Sequence, residues 1–180
     1  AKGLYDKAIE ALEAAQKKIG DNWNIHFLVA LSYYCQGRLD FALLEADKSL
    51  ALDRTYYYGH WLKAAVYCCL GDLAEAQKEA LEFLDKGEES RRVGGRDLLG
   101  AIAILQGKYG KAVEEFAQSL ESAKTLGEME RESVAHSNLA YVYLKSGNQE
   151  KAREEAGNSW KSAFEAESLT MQRISLFLQG

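Results

Sequence analysis

Histidine is the side chain most often used as a general base and a frequent metal ligand, so His26, His60 and His136 are the first candidates for chemistry. Their spacing argues against it. Each stands eleven residues before a glycine, Gly37, Gly71 or Gly147, so the three share one position of a recurring pattern. Equivalent side chains on successive helical hairpins lie roughly 10 Å or more apart, a typical helix spacing, which is too far for one metal ion. They read as structural rings packed between helices, with the polar edge hydrogen-bonded. Cys35 and Cys69 also share a repeat position, and Cys68 adjoins Cys69. Such positions exceed the ~7 Å Cα limit for a disulfide, so these thiols read as small apolar groups lining a surface. An odd number of cysteines without C-x-x-C spacing fits a reducing compartment and leads us to expect a cytoplasmic protein.

Other candidates fail on context. Gly94-Gly95 and Gly107-Lys108-Tyr109-Gly110 lack the strand before and the Lys-Ser/Thr after that a phosphate cradle needs. Glu88-Glu89, Glu114-Glu115 and Glu154-Glu155 read as solvated helix faces, with Lys111 and Glu115 spaced for an i, i+4 pair. No catalytic residue, metal site or cofactor site is nominated, and the chain is expected not to be an enzyme. A net charge of -5 and a pI near 5.3 leave no basic stripe for nucleic acid. No apolar run is long enough to span a membrane.

The elements that carry these residues are set by a repeat. Gly3, Gly37 and Gly71 are separated by 34 residues, and Gly107 and Gly147 follow at intervals of 36 and 40. An alanine stands five residues after each: Ala8, Ala42, Ala76, Ala112 and Ala152. Such periodicity is the signature of a repeat architecture. Between glycines the apolar residues recur at helical spacing: His26, Ala30 and Tyr33 before Gly37, then Leu39, Ala42, Leu43, Ala46 and Leu50 after it. Each unit is therefore an antiparallel helical hairpin, and the small pair Ala30 and Ala42 lets its backbones approach. Proline is absent, against about 5% in an average chain, which favours uninterrupted helices. Asp21 or Asn22 can cap the helix near Trp23 and Thr55 the next one. Gly20 and Gly87, each behind lysine, read as left-handed helix ends.

The segments Ala64-x-x-Tyr67-x-x-x-Gly71-x-Leu73-x-x-Ala76 and Ala140-x-x-Tyr143-x-x-x-Gly147-x-x-x-x-Ala152 resemble the tetratricopeptide repeat (TPR) family. The resemblance implies an all-α, right-handed superhelical solenoid of helix pairs over residues 1–180. Residues 1–20 read as the second helix of a truncated repeat, with Gly3 at its turn. Complete repeats occupy 21–54, 55–90, 91–130 and 131–166, and 167–180 is a capping helix or the start of a further repeat, with Met171, Ile174 and Leu178 apolar. Both ends read as cut from a longer protein. Ala103 stands where an aromatic is expected and implies looser packing in the third complete repeat.

One stripe is left over from the hairpin cores. On the first helices, Asn24, Phe27, Leu31 and Tyr34, then Tyr58, Trp61, Ala65 and Cys68, point away from the partner helix, and Asp97, Ala101, Ile104, Ser137, Tyr141 and Leu144 continue the rows. The resemblance implies that these line an inner concave face that holds a peptide. With Asn24 and Asn138 as its only clamp-type residues, the lining does not suit a terminal carboxylate. The expected function is a protein-protein interaction scaffold binding an apolar or amphipathic segment. The alternative is homo-oligomerisation through the exposed terminal hairpin or the groove.

Overall fold

The computed structural model describes the backbone of residues 2–86 and 89–179, and within it the side chains of residues 3–86 and 93–167. Every regular element among them is an α-helix: α1 Lys2–Ile19, α2 Trp23–Cys35, α3 Leu39–Leu52, α4 Tyr58–Leu70, α5 Leu73–Lys86, α6 Glu89–Leu105, α7 Tyr109–Leu126, α8 Met129–Lys145 and α9 Gln149–Gln179. They fall into two compact units, Ala1–Gly87 with α1 to α5 and Glu88–Gly180 with α6 to α9. The fold is an all-α helical repeat. Gly87, Glu88 and the side chains of Glu89, Met171, Ile174 and Leu178 lie outside the described residues.

Four hairpins close at Gly37, Gly71, Gly107 and Gly147, whose φ values of 73°, 79°, 72° and 84° lie in the left-handed region that a Cβ disfavours. Gly3 takes no such turn and sits in the first turn of α1. The longer glycine intervals are absorbed by α6, α7 and α8, of 17, 18 and 17 residues against 13 and 14 in α4 and α5. The expected boundaries at 90/91 and 130/131 accordingly fall just inside α6 and α8. No separate helix occupies 167–180, because α9 continues to Gln179 through a stretch without Gly or Pro.

Asn22 caps α2, its Oδ1 accepting the Asn24 N–H at 2.9 Å. Thr55 does not cap α4, which begins three residues later at Tyr58. Asp53 takes both its N–H and its hydroxyl, at 2.8 and 2.6 Å.

In unit 1 the core joins Ala30 of α2, Ala42 and Ala46 of α3, and Leu62 and Val66 of α4, all with no exposed surface. Small residues on one hairpin thus receive branched aliphatic ones from the next first helix. Ile9 of α1 packs with Ile25 and Val29 of α2. Unit 2 repeats the scheme with Ala103, Ala112 and Phe116 receiving Leu139 and Val142 of α8. Ala103 does not loosen the packing, because Phe116 stands where Ala46 does in the first hairpin. A Cβ on Gly100 would lie 2.6 Å from that ring.

Candidate peptide-binding site

In unit 1, α2 and α4 lie side by side and carry the two rows of the leftover stripe. Asn24 is exposed, whereas Phe27, Leu31, Tyr34, Tyr58, Trp61, Ala65 and Cys68 are half-buried. Phe27, Leu31, Tyr34 and Trp61 lean against the alanine, leucine and valine core behind them, which fixes their direction. At one end the rings form a cluster: Phe27 meets Tyr56 edge-on at 5.2 Å and Tyr58 at 6.3 Å, and Tyr58 reaches Phe83 at 5.7 Å. Trp23 lies 4.0 Å from Tyr56. Tyr56 and Trp23 are not among the residues that the sequence singles out. The available signal is the run Tyr56-Tyr57-Tyr58 ahead of α4, of which only the last falls on the helical stripe.

At the other end sit the thiols. All three cysteines are free, and Cys69 Sγ lies 3.9 Å from the Tyr34 hydroxyl. Burial, then the Cys69 contact, pushes the Tyr34 pKa up, and burial does the same to the Cys68 thiol. Both shifts favour the neutral form. The two rows contain no charged side chain.

The rows of unit 2 differ. Ala101, Ser137, Tyr141 and Leu144 are exposed and Ile104 is half-buried, so fewer apolar side chains are supported from behind. Asp97 sets the polarity. Burial raises its carboxyl above the ordinary value, against the lowering effect of hydrogen bonds from Ser119, whose Oγ donates at 2.7 Å, and from Asn138. Asn138, read from sequence as a groove-side amide, is thus engaged with Asp97.

The histidines pair across the hairpins instead of gathering. His26 Nδ1 lies 2.6 Å from Glu45 Oε2, His60 Nδ1 2.6 Å from Glu79 Oε2, and His136 Nδ1 2.6 Å from Glu155 Oε2. In the third hairpin Arg96 takes the place of histidine and meets Glu115 at 3.2 Å. Glu115 therefore faces its hairpin partner and not Lys111, and neither it nor Glu155 belongs to a purely solvated face. Glu79 also binds Lys63 Nζ at 2.7 Å, and Lys63 reaches Asp47 at 2.9 Å. Burial alone would raise the Glu79 pKa, but hydrogen bonds from His60 and Lys63 outweigh it and hold the carboxyl below its usual range. Among the described residues no group of three His, Cys, Asp or Glu is placed to hold a metal ion, and no helix is long and apolar enough to cross a membrane.

No family model matches the chain. A TPR repeat-containing protein of Methanocaldococcus jannaschii is 27% identical over 124 residues, 68% of this chain. The chain spans 21% of that relative's length. Among solved structures, TTC0263, a thermophilic TPR protein of Thermus thermophilus, superimposes with a TM-score of 0.75 at 21% identity, covering 98% of this chain and 92% of its own. MamA of Desulfovibrio magneticus gives 0.68 at 14% identity, with 89% and 86% covered. Repeat motif, hairpin geometry and these similarities agree on one fold, the helical-hairpin repeat seen in tetratricopeptide repeat proteins.

Proposed function

We propose that the chain is a protein-protein interaction scaffold and that the unit 1 face holds an apolar or amphipathic segment of a partner, with Phe27, Tyr34, Tyr58 and Trp61 as anchors. The observation that carries this reading is a double row of half-buried aromatic and aliphatic side chains without a charge among them, backed by a rigid core. Asn24, Leu31, Ala65 and Cys68 complete that face, and Ala101, Ile104 and Tyr141 form a smaller one on unit 2. Candidate chemistry arranged in rows, with no convergence on one point, supports binding over catalysis.

Panning a library of helical amphipathic peptides against the protein, then measuring the selected peptide by calorimetry, tests the proposal. Trp61→Ala and Tyr34→Ala should each weaken binding by about 2 kcal/mol while helical circular dichroism is unchanged. Unaltered affinity in both variants would refute the assignment. Exposed Leu4 and Ile19 on α1 favour self-association as the second reading. A monomer by light scattering at high concentration would remove it.

A further inference from the structure

Among the described residues of unit 2, α8 and α9 carry the most exposed large apolar side chains. Trp160 and Phe164 are 71% and 60% exposed and stack at 5.6 Å, while Tyr141 and Leu144 are 48% and 60% exposed. Beside Tyr141 and Leu144 opens a cavity of about 360 Å³, floored by Ala140, Ala152 and Ala156 and edged by Gln149 and Arg153.

The molecule holds two internal copies of this surface, and both are filled. Ala152 and Ala156 lie five and nine residues past their turn glycine, as do Ala42 and Ala46, and Ala112 and Phe116. In the first copy α4 lays Leu62 and Val66 on the alanines, and in the second α8 supplies Leu139 and Val142. Trp160 corresponds to Leu50, thirteen residues past the turn, and Leu50 lies under α4 at Gly59, where a Cβ would come within 2.6 Å. The occupant in unit 1 thus reads small residue, aliphatic three positions on, aliphatic four further on. One residue breaks the copy: Arg153 replaces Leu43 and Val113, which pack against their cores. Arg153 makes no ion pair among the described residues, so a guanidinium borders an apolar cavity.

We infer that the α8–α9 face docks an amphipathic α-helix of a partner protein. That helix sets a small residue over Trp160, drops two branched aliphatic side chains into the alanine-floored cavity, and offers a carboxylate to Arg153. The surface continues the repeat-to-repeat interface already seen twice, and the cation supplies the charge complementarity that the internal copies lack.

The probe is a synthetic peptide of the sequence Met129–Lys145, which contains Ala135, Leu139 and Val142, with Lys145→Glu to set a carboxylate at the end that meets Arg153. It is lactam-stapled on its solvent side, because short free helices are marginal in water. Fluorescence anisotropy should show saturable binding to the intact chain. Ala156→Glu and Arg153→Glu should each weaken it about tenfold or more, by burying an unmatched charge or reversing the match. Trp61→Ala, in unit 1, should leave it unchanged, and Leu139→Asp in the peptide should abolish it. A change in tryptophan emission on binding that Trp160→Phe removes, with Trp23 and Trp61 left in place, gives a second readout at the face itself. No saturable binding, binding indifferent to both substitutions, or a concentration-dependent dimer that Ala156→Glu abolishes would each overturn the inference, the last by assigning the face to a second copy.

Discussion

His60 Nδ1 on α4 stands 2.6 Å from Glu79 Oε2 on α5, and the same contact at the same distance ties His26 to Glu45 and His136 to Glu155. Arg96 and Glu115 occupy the corresponding positions at 3.2 Å. Every hairpin is therefore clasped at one level by a basic side chain on its first helix and a glutamate on its second.

Because arginine already serves in the third hairpin, His136→Arg should keep stability within about 1 kcal/mol of the parent. His136→Ala leaves the half-buried Glu155 without its partner and should cost about 2 kcal/mol. Urea denaturation of both variants checks the contrast, and equal losses would contradict the clasp.

The depressed Glu79 pKa carries a definite pH signature. A carboxyl lowered in the folded state contributes stability above its unfolded pKa of about 4.3, and that contribution disappears as pH falls through the folded value. Acid unfolding below about pH 4 should accordingly flatten in Glu79→Gln, as read from urea midpoints between neutral and acid pH.

Asp97 has the opposite sign. Its pKa is raised, so ionisation costs stability, and the loss develops as pH rises from the unfolded value of about 3.9 through the folded one. Asp97→Asn keeps an acceptor for Ser119 and should raise the melting temperature at pH 7, with the gain fading in acid. Thermal melts at pH 7 and at about pH 4 separate this from a uniform packing effect.

Gly100 is required by a neighbour and not by its own backbone. Gly100→Ala forces a Cβ into the Phe116 ring and should cost about 1–3 kcal/mol. Adding Phe116→Leu should recover part of that loss, a coupling that a double-mutant cycle measures directly.

Much of the fold is legible from spacing alone. Glycine intervals locate all four hairpin turns, and the alanines five residues later mark where the helices approach. Reading the histidines against one another sets them in separate hairpins but hides their partners. The glutamate eight residues past each turn stands in the same register, but at Glu115 and Glu155 an acidic neighbour makes it read as part of a solvated face. Tyr56 escapes because it lies in the α3–α4 connection, off any helical period. Ala103 misleads because its deficit is made up by Phe116 from another helix, a tertiary exchange that no local pattern contains. Periodicity places the leftover rows on α2, α4, α6 and α8, while the difference between their two halves depends on what stands behind each side chain. In unit 2 that is decided by Asp97.

The basic residue and its glutamate are always nineteen positions apart, although the glycines themselves drift from 34 to 36 to 40. Length changes have thus been admitted only in the outer ends of the helices, away from the turn, never between the basic residue and its glutamate. Each hairpin travels with its own fastening, so such an array can gain, lose or exchange modules without stranding the paired carboxylate.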